Sequence, residues 1–195
     1  MATMASTMRT RRNHPRAVVL VEGVSDQLAL EALAERRGRN LAAEGLSIVP
    51  IGGAQAIGRF VERFGPRGLD VKLAGLCDAA EERFFQRALE RAGLGSGLTR
   101  TDMESLGFYV CVADLEDELI RALGAHAMEE VIDAHGELGS FRTLQKQPAW
   151  RGRPTEAQLH RWLGSQTRKT SVSSLVRALA HDRVPRPLEQ LLAHV

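Results

Sequence analysis

The sequence predicts an α/β fold: a mostly parallel four-stranded sheet flanked by helices, with a helical C-terminal extension. Three observations carry this. Short continuous apolar runs such as AVVLV (17–21) read as strands buried on both faces. Through the first half of the chain these runs alternate with helical stretches, which implies crossover connections and parallel pairing. From about residue 121 onward only helical patterns remain.

The elements follow in order. Ala17–Val21 is the first strand, and a helix runs from about Ser25 to Arg37, closed by Gly38. LSIVPI (46–51) is the second strand, with Pro50 marking a sheet edge or strand end. GGAQAIGRFVERFG opens on glycines and places Ile57, Phe60, Val61 and Phe64 at helical spacing. VKLAGLC (71–77) is the third strand, and AAEERFFQRALERAG is an amphipathic helix stopped by Gly93. GLGSGLTRTD reads as a loop, and FYVCV (108–112) as the fourth strand. ADLEDELIRALG is a helix opened by Asp114, with acids in its first turn. His126–His135, Glu156–Leu163, Val172–His181 and Leu188–Ala193 read as short helices. Thr155 with Gln158 forms a capping-box pattern, and residues 136–154 read as a basic linker. The expected organisation is a disordered basic tail (1–16), an α/β domain (17–124) and a helical extension packed on or beside it (125–195).

Composition narrows the function. The 195 residues suffice for one core and carry a net charge of +2, but the charges are segregated. Residues 102–137 hold ten acids and the single base Arg121, while residues 142–169 hold seven bases and the single acid Glu156. Such asymmetry points towards a polyanionic partner, although solvated faces produce it too. Aromatics are sparse, so the core is expected to be aliphatic. Cys77 and Cys111 sit in apolar runs and read as buried free thiols of a reducing compartment, so a cytoplasmic location is expected. No CxxC pair suggests zinc, and no run of about 18 apolar residues suggests a membrane span. The six histidines show no ligand spacing with one another. Trp150 and Trp162 flank a basic stretch, where packing of the helical tail is favoured over stacking on bases.

The chemistry-bearing pattern is acidic. Glu22, Asp78 and Asp114 each follow a strand, and ligands of open α/β sheets bind beyond the carboxyl ends of the strands. Asp26 lies four residues after Glu22, Glu81 three after Asp78, and Glu116 two after Asp114. Each acid also has a capping role open to it. Gathered together they require raised pKa values or a cation. Hard oxygen donors suit Mg²⁺ or Mn²⁺, one ion or two, and such ions support phosphodiester cleavage. Gly23 lets the backbone turn sharply or a phosphate approach.

VVLVEGVSDQLALEAL followed by LAGLCDAAEE resembles the Toprim domain, a Rossmann-like module whose hallmarks are Glu-Gly after the first strand and Asp-x-Asp after the third. The finer resemblance is to the Toprim nuclease module of the overcoming-lysogenization-defect (OLD) family. It rests on Asp26, on the later acidic pair Asp114/Glu116 in ADLEDEL, and on Lys169 in SQTRKTSVSSLVRALA, and covers roughly residues 17–182. The resemblance implies a Mg²⁺- or Mn²⁺-dependent DNA endonuclease linked to DNA repair or phage defence. Glu22 is then a metal ligand or general acid/base, and Asp78, Asp114 and Glu116 are ligands supported by Asp26. Lys169 steadies transition-state charge, and Gly23, Arg151, Arg153, Arg168 and Lys169 contact nucleic acid.

Two departures matter. The Asp-x-Asp motif reads Asp78–Ala79–Ala80, so its second carboxylate is missing and Glu81 (or Glu82) is the candidate replacement. The chain also has no GxxxxGK[ST] loop, so the ATPase that accompanies OLD nucleases is expected on a separate chain. A topoisomerase is disfavoured because the lone Tyr109 lies in an apolar strand, and zinc-bearing primases and recombination mediators because their cysteines are absent. A ribosomal-RNA maturation nuclease stays open. So do a non-catalytic binding or regulatory subunit serving an ATPase partner, a nucleotidyl or phosphoryl transferase, and oligomerisation.

Overall fold

The computed structural model describes residues 14–164 and 171–195. Its strands are β1 (Ala17–Val21), β2 (Leu46–Pro50), β3 (Lys72–Cys77) and β4 (Phe108–Val110). They form one all-parallel sheet in the order β2-β1-β3-β4. Pro50 pairs with Val21 at the end of the edge strand β2, where a missing N–H is tolerated.

Alternation along β1 builds two layers. Val18 and Leu20 face α2 (Ile57–Phe64), α3 (Glu82–Arg91) and α4 (Arg100–Ser105), together with Phe85 and Phe108. Ala17, Val19 and Val21 face the opposite layer, which holds α1 (Val24–Arg36) and α5 (Leu115–Ala134). That layer continues through α6 (Leu138–Lys146), α7 (Thr155–Leu163), α8 (Val172–Ala178) and α9 (Arg186–His194) in the same apolar cluster. The C-terminal helices are therefore part of the core that covers the sheet. Arg36 ties them to α1 by donating to the Val176 and Leu179 carbonyls at 2.6 and 2.7 Å.

Four expectations need correcting. The Gly-rich stretch after Gly93 contains α4, because Thr99 and Asp102 form a reciprocal capping box that starts a helix. The stretch 136–154 contains α6, because Phe141 is fully buried and packs edge-on against Trp162, ring centroids 5.9 Å apart. Thr155 and Gln158 do not cap α7. The cap position is Pro154, and buried Gln158 instead accepts from Gln145 and donates to the Trp150 carbonyl, both at 2.8 Å. The core is not purely aliphatic, since Trp162, Phe85, Phe108 and Phe141 are among its largest fully buried side chains. Two expectations hold: Cys77 and Cys111 are buried free thiols, and the helix begun at Asp114 breaks at Gly124, where φ is 78°. Among the described residues no helix is long and apolar enough to cross a membrane.

Candidate metal centre

The sheet order places the switch point of the winding between β1 and β3. The chain leaves β1 through α1 to reach β2 on one side, and then crosses to β3 on the other. A crevice opens there at the carboxyl ends of the strands. Glu22 ends β1 and Asp78 ends β3, one on each lip.

Glu22 is held by both neighbours. Its carbonyl accepts the N–H groups of Gly52 and Gly53 at 3.1 and 3.2 Å, and its side-chain Oε1 accepts the backbone N–H of Asp78 at 2.8 Å. Gly52 and Gly53 have φ of 75° and 105°, a region that favours glycine, so the GG of the second strand's exit is needed to aim both amides at Glu22. Gly23 is different. Its φ of −139° is extended backbone that any residue adopts, so the expected sharp turn is not its role. It is the N-cap of α1 and donates its N–H to Asp26 Oδ2 at 2.8 Å, which fixes Asp26 on the first helical turn.

The carboxylates sense one another. Burial raises the Glu22 carboxyl, the Asp78 N–H opposes this, and Asp26 and Glu81 raise it further. Burial pushes Asp26 up to about 6 against the Gly23 hydrogen bond, and Glu116 adds to the rise. Asp78 rises to about 7, first through burial, then through Glu22, Asp26, Asp114 and Glu116. Asp78 occupies a cap position yet makes no capping hydrogen bond with its side chain. Thus the structure brings Glu22, Asp26, Asp78, Glu81, Asp114 and Glu116 into one electrostatic neighbourhood. Ala80, where the motif would carry a second Asp, is exposed.

Asp114 carries two jobs. Oδ1 accepts the Asp117 N–H at 2.8 Å and caps α5, while Oδ2 meets His160 Nε2 at 2.7 Å. His160, from α7, is thus a partner of the candidate residue Asp114 that the sequence reading set aside; it lies 46 positions from Asp114, and no linear spacing signals the pair. A hollow of about 530 Å³ borders it, lined by Arg121, Trp150, Arg153 and Arg161 among others. Arg153 lies 5.2 Å over the Trp150 ring and donates to the Ala149 carbonyl, and Arg151 donates to the Lys146 carbonyl. Trp162 is buried, as the packing reading expected. Arg168 and Lys169 lie outside the described residues.

Among the described residues no three His, Cys, Asp or Glu side chains already stand in a metal-holding arrangement. The donor chemistry nonetheless fits a hard divalent cation: all candidates are carboxylates, burial raises Glu22, Asp26 and Asp78, and neighbouring acids add to the rise in each.

Residues 15–79 match the family model of the overcoming lysogenization defect protein-like TOPRIM domain. A solved C-terminal region of the Xanthomonas campestris pv. campestris OLD protein superposes with a TM-score of 0.72 at 25% identity. That match covers 92% of this chain and 91% of the other. The chain has the fold of an OLD-type Toprim domain. The C-terminal region of the Burkholderia pseudomallei OLD protein shares the fold, with a TM-score of 0.66 at 20% identity over 92% of this chain and 96% of that one. No curated protein matches the sequence. Toprim is a fold of the nuclease and primase type, and its members generally bind Mg²⁺ or Mn²⁺. The family match ends at Asp78 and Ala79, so it includes the Glu22–Gly23 and Asp78 hallmarks and stops before Asp114.

Proposed function

We propose that this OLD-type Toprim chain is a Mg²⁺- or Mn²⁺-dependent DNA nuclease that nicks or cleaves phosphodiester bonds. The observation that carries the reading is the convergence of Glu22, Asp26 and Asp78 at the switch point: Glu22 accepts the Asp78 N–H, Asp26 raises the Glu22 carboxyl after burial, and Glu22 and Asp26 raise that of Asp78 after burial. Glu22, Asp26, Asp78, Glu81, Asp114 and Glu116 would hold one or two ions. When bound, the metal supplies Lewis acidity to a phosphodiester oxygen and acidifies a water.

The chain's own groups do the rest. Glu22 spends Oε1 on the Asp78 amide, and Oε2 has no protein partner among the described residues. That oxygen is available to hold or pass a proton at the reacting phosphate, with burial raising the carboxyl above its ordinary value. Asp26 is fixed by the Gly23 N–H, and Asp114 by Asp117 and His160, so both need little ordering. Arg151 and Arg153 would neutralise phosphates beside this rim, and Arg168 and Lys169, which lie outside the described residues, would add to that charge.

Supercoiled plasmid incubated with the chain and Mn²⁺ tests the reading. Nicking that disappears in Glu22→Ala supports it, and nicking unchanged by Glu22→Ala refutes it. A second reading, a binding subunit without catalysis, is favoured by Ala80 and by the engagement of both Asp114 oxygens. Plasmid retardation without nicking would establish that one.

A further inference from the structure

A second charged feature lies on the opposite face of the sheet from α7. Helices α2 and α3 flank a hollow of about 450 Å³, lined by Gln55, Arg59, Glu62, Arg67 and Arg91, with Ala88 and Ala92 among its apolar lining. All three arginines are exposed. Several arginines elsewhere pair with a carboxylate: Arg100 with Glu82, Arg142 with Glu129, Arg177 with Glu35, Arg186 with Glu104. Among the described residues no ion pair or hydrogen bond joins Arg59, Arg67 or Arg91 to a carboxylate, although Glu62 shares the hollow.

The guanidinium groups lie across the groove. A Cβ built on Gly58 of α2 would stand 3.1 Å from an Arg91 guanidinium nitrogen. A Cβ built on Gly93, just beyond α3, would stand 3.6 Å from one of Arg67. Arg59 rests 5.1 Å over the Phe60 ring. The absence of a side chain at Gly58 is what admits the Arg91 head. Its lining includes Gln55, two residues after Gly53, and Gly53 donates its N–H to the carbonyl of Glu22. The groove is thus tied through the short Gly53–Gln55 segment to the backbone of Glu22, and its lining continues along α2 and α3 to Arg67 and Arg91.

We propose that this groove binds consecutive phosphates of the nucleic-acid strand whose scissile bond sits at the Glu22–Asp78 rim. Planar, permanently charged guanidinium forks match phosphate oxygens two at a time. Three of them with one acid leave a net positive track, where solvated surface charge would be interspersed. The inference rests on the nuclease reading for its substrate, but it concerns binding and is tested without turnover.

The test is fluorescence anisotropy of a labelled oligonucleotide, single-stranded and duplex, titrated with the whole chain in EDTA over a range of salt. Three proteins are compared: the parent, a groove variant (Arg59→Ala, Arg67→Ala, Arg91→Ala), and a control with the same charge removed from the outer faces of α2 and α3 (Arg63→Ala, Arg83→Ala, Arg87→Ala). All three are checked for unchanged circular dichroism and melting. The groove variant is expected to bind at least about tenfold more weakly, with its log K against log salt slope smaller by about two to three. The control is expected to stay within about threefold of the parent. Gly58→Leu, which displaces the Arg91 head, is expected to weaken binding in the same direction. Unchanged affinity and slope in the groove variant overturn the proposal, as does an equal loss in the control, which would mark a bulk-charge effect. Protection of the parent by tripolyphosphate that the groove variant loses, with oligonucleotide affinity unaltered, also overturns it in favour of a small polyphosphate ligand. Because no divalent ion is present, an inactive carboxylate rim leaves the result standing.

Discussion

Glu22 Oε1 accepts the backbone N–H of Asp78 at 2.8 Å, so the first carboxylate of the cluster holds in place the strand end that carries the next one. The bond crosses the point where the sheet winding reverses. Its consequence is that substitutions at Glu22 separate two roles. Gln keeps an oxygen acceptor for Asp78 and removes the charge. Ala removes both. Glu22→Gln is expected to melt at or above the parent temperature in EDTA, and Glu22→Ala below it. Both are expected to lose Mn²⁺-dependent nicking by on the order of a hundredfold or more. A Glu22→Gln protein that nicks normally would assign Glu22 to strand-end structure alone.

Stability of the metal-free chain should fall as pH rises from 5 to 8. Asp26 and Asp78 move from an ordinary 3.8 to about 6 and about 7. A carboxyl whose folded pKa lies above its unfolded one keeps a proton that the unfolded chain has already lost. The folded state then binds more protons between roughly pH 4 and 7, and the slope of stability against pH is negative there. Below that window the proton is held in both states; above it the folded chain bears the full repulsion. Melting in EDTA is expected to drop by several degrees between pH 5 and 8, since about 1 kcal/mol moves a chain of this size by roughly 2–4 °C. Mn²⁺ should restore most of the drop at pH 8 by binding the folded form. Asp78→Asn should flatten the profile, and an identical drop in that variant would contradict the assignment.

The missing second aspartate gives a third prediction. Glu81 is near enough to raise the Glu22 carboxyl, whereas Ala80 presents only a methyl group to solvent. Glu81→Ala is expected to weaken Mn²⁺ binding by roughly tenfold, the scale on which supporting groups act at metal sites. Ala80→Asp should tighten it. Titration calorimetry reads both directly. Equal Mn²⁺ affinity in parent and Glu81→Ala would remove Glu81 from the site.

The strands were legible because burial on both faces leaves an uninterrupted apolar run, and AVVLV and KLAGLC cannot be mistaken for surface. The acids at their ends were legible for a related reason: a parallel sheet sends every strand's carboxyl end to one rim, so chain order alone gathers Glu22, Asp78 and Asp114. Partners contributed by later helices were not legible. His160 reaches Asp114 only because Phe141 and Trp162 seat α6 and α7 on the layer that holds α5. That seating depends on side-chain volumes, and the stretch carrying it looked like a linker because Pro and Gly punctuate it. Likewise Arg67 and Arg91 lie 24 positions apart in the chain and share a groove only through helix packing.

The buried pair Phe141–Trp162 is therefore expected to control both stability and site geometry. Trp162→Ala removes a fully buried indole and its edge-on partner, at a cost of about 3–5 kcal/mol. Denaturant unfolding should show that loss. Trp162→Phe should recover part of it. A loss below about 1 kcal/mol would mean that α7 is not held on the core as described.

His160 itself supplies the sharpest test of the rim. Its Nε2 meets Asp114 Oδ2 at 2.7 Å with the imidazole about half exposed, whereas the cap of α5 depends on Asp114 Oδ1. Removing the imidazole should thus leave the cap intact, and an exposed ion pair contributes less than about 1 kcal/mol. His160→Ala is expected to melt within a few degrees of the parent. It should nevertheless slow nicking by roughly tenfold, because Asp114 loses the contact that orients its second oxygen. Asp114→Asn should lower activity at least as far, and His160→Ala added to it should cost little more, since the two act through one oxygen. If the double variant instead loses a further tenfold, His160 contacts the substrate directly and orienting Asp114 is not its role.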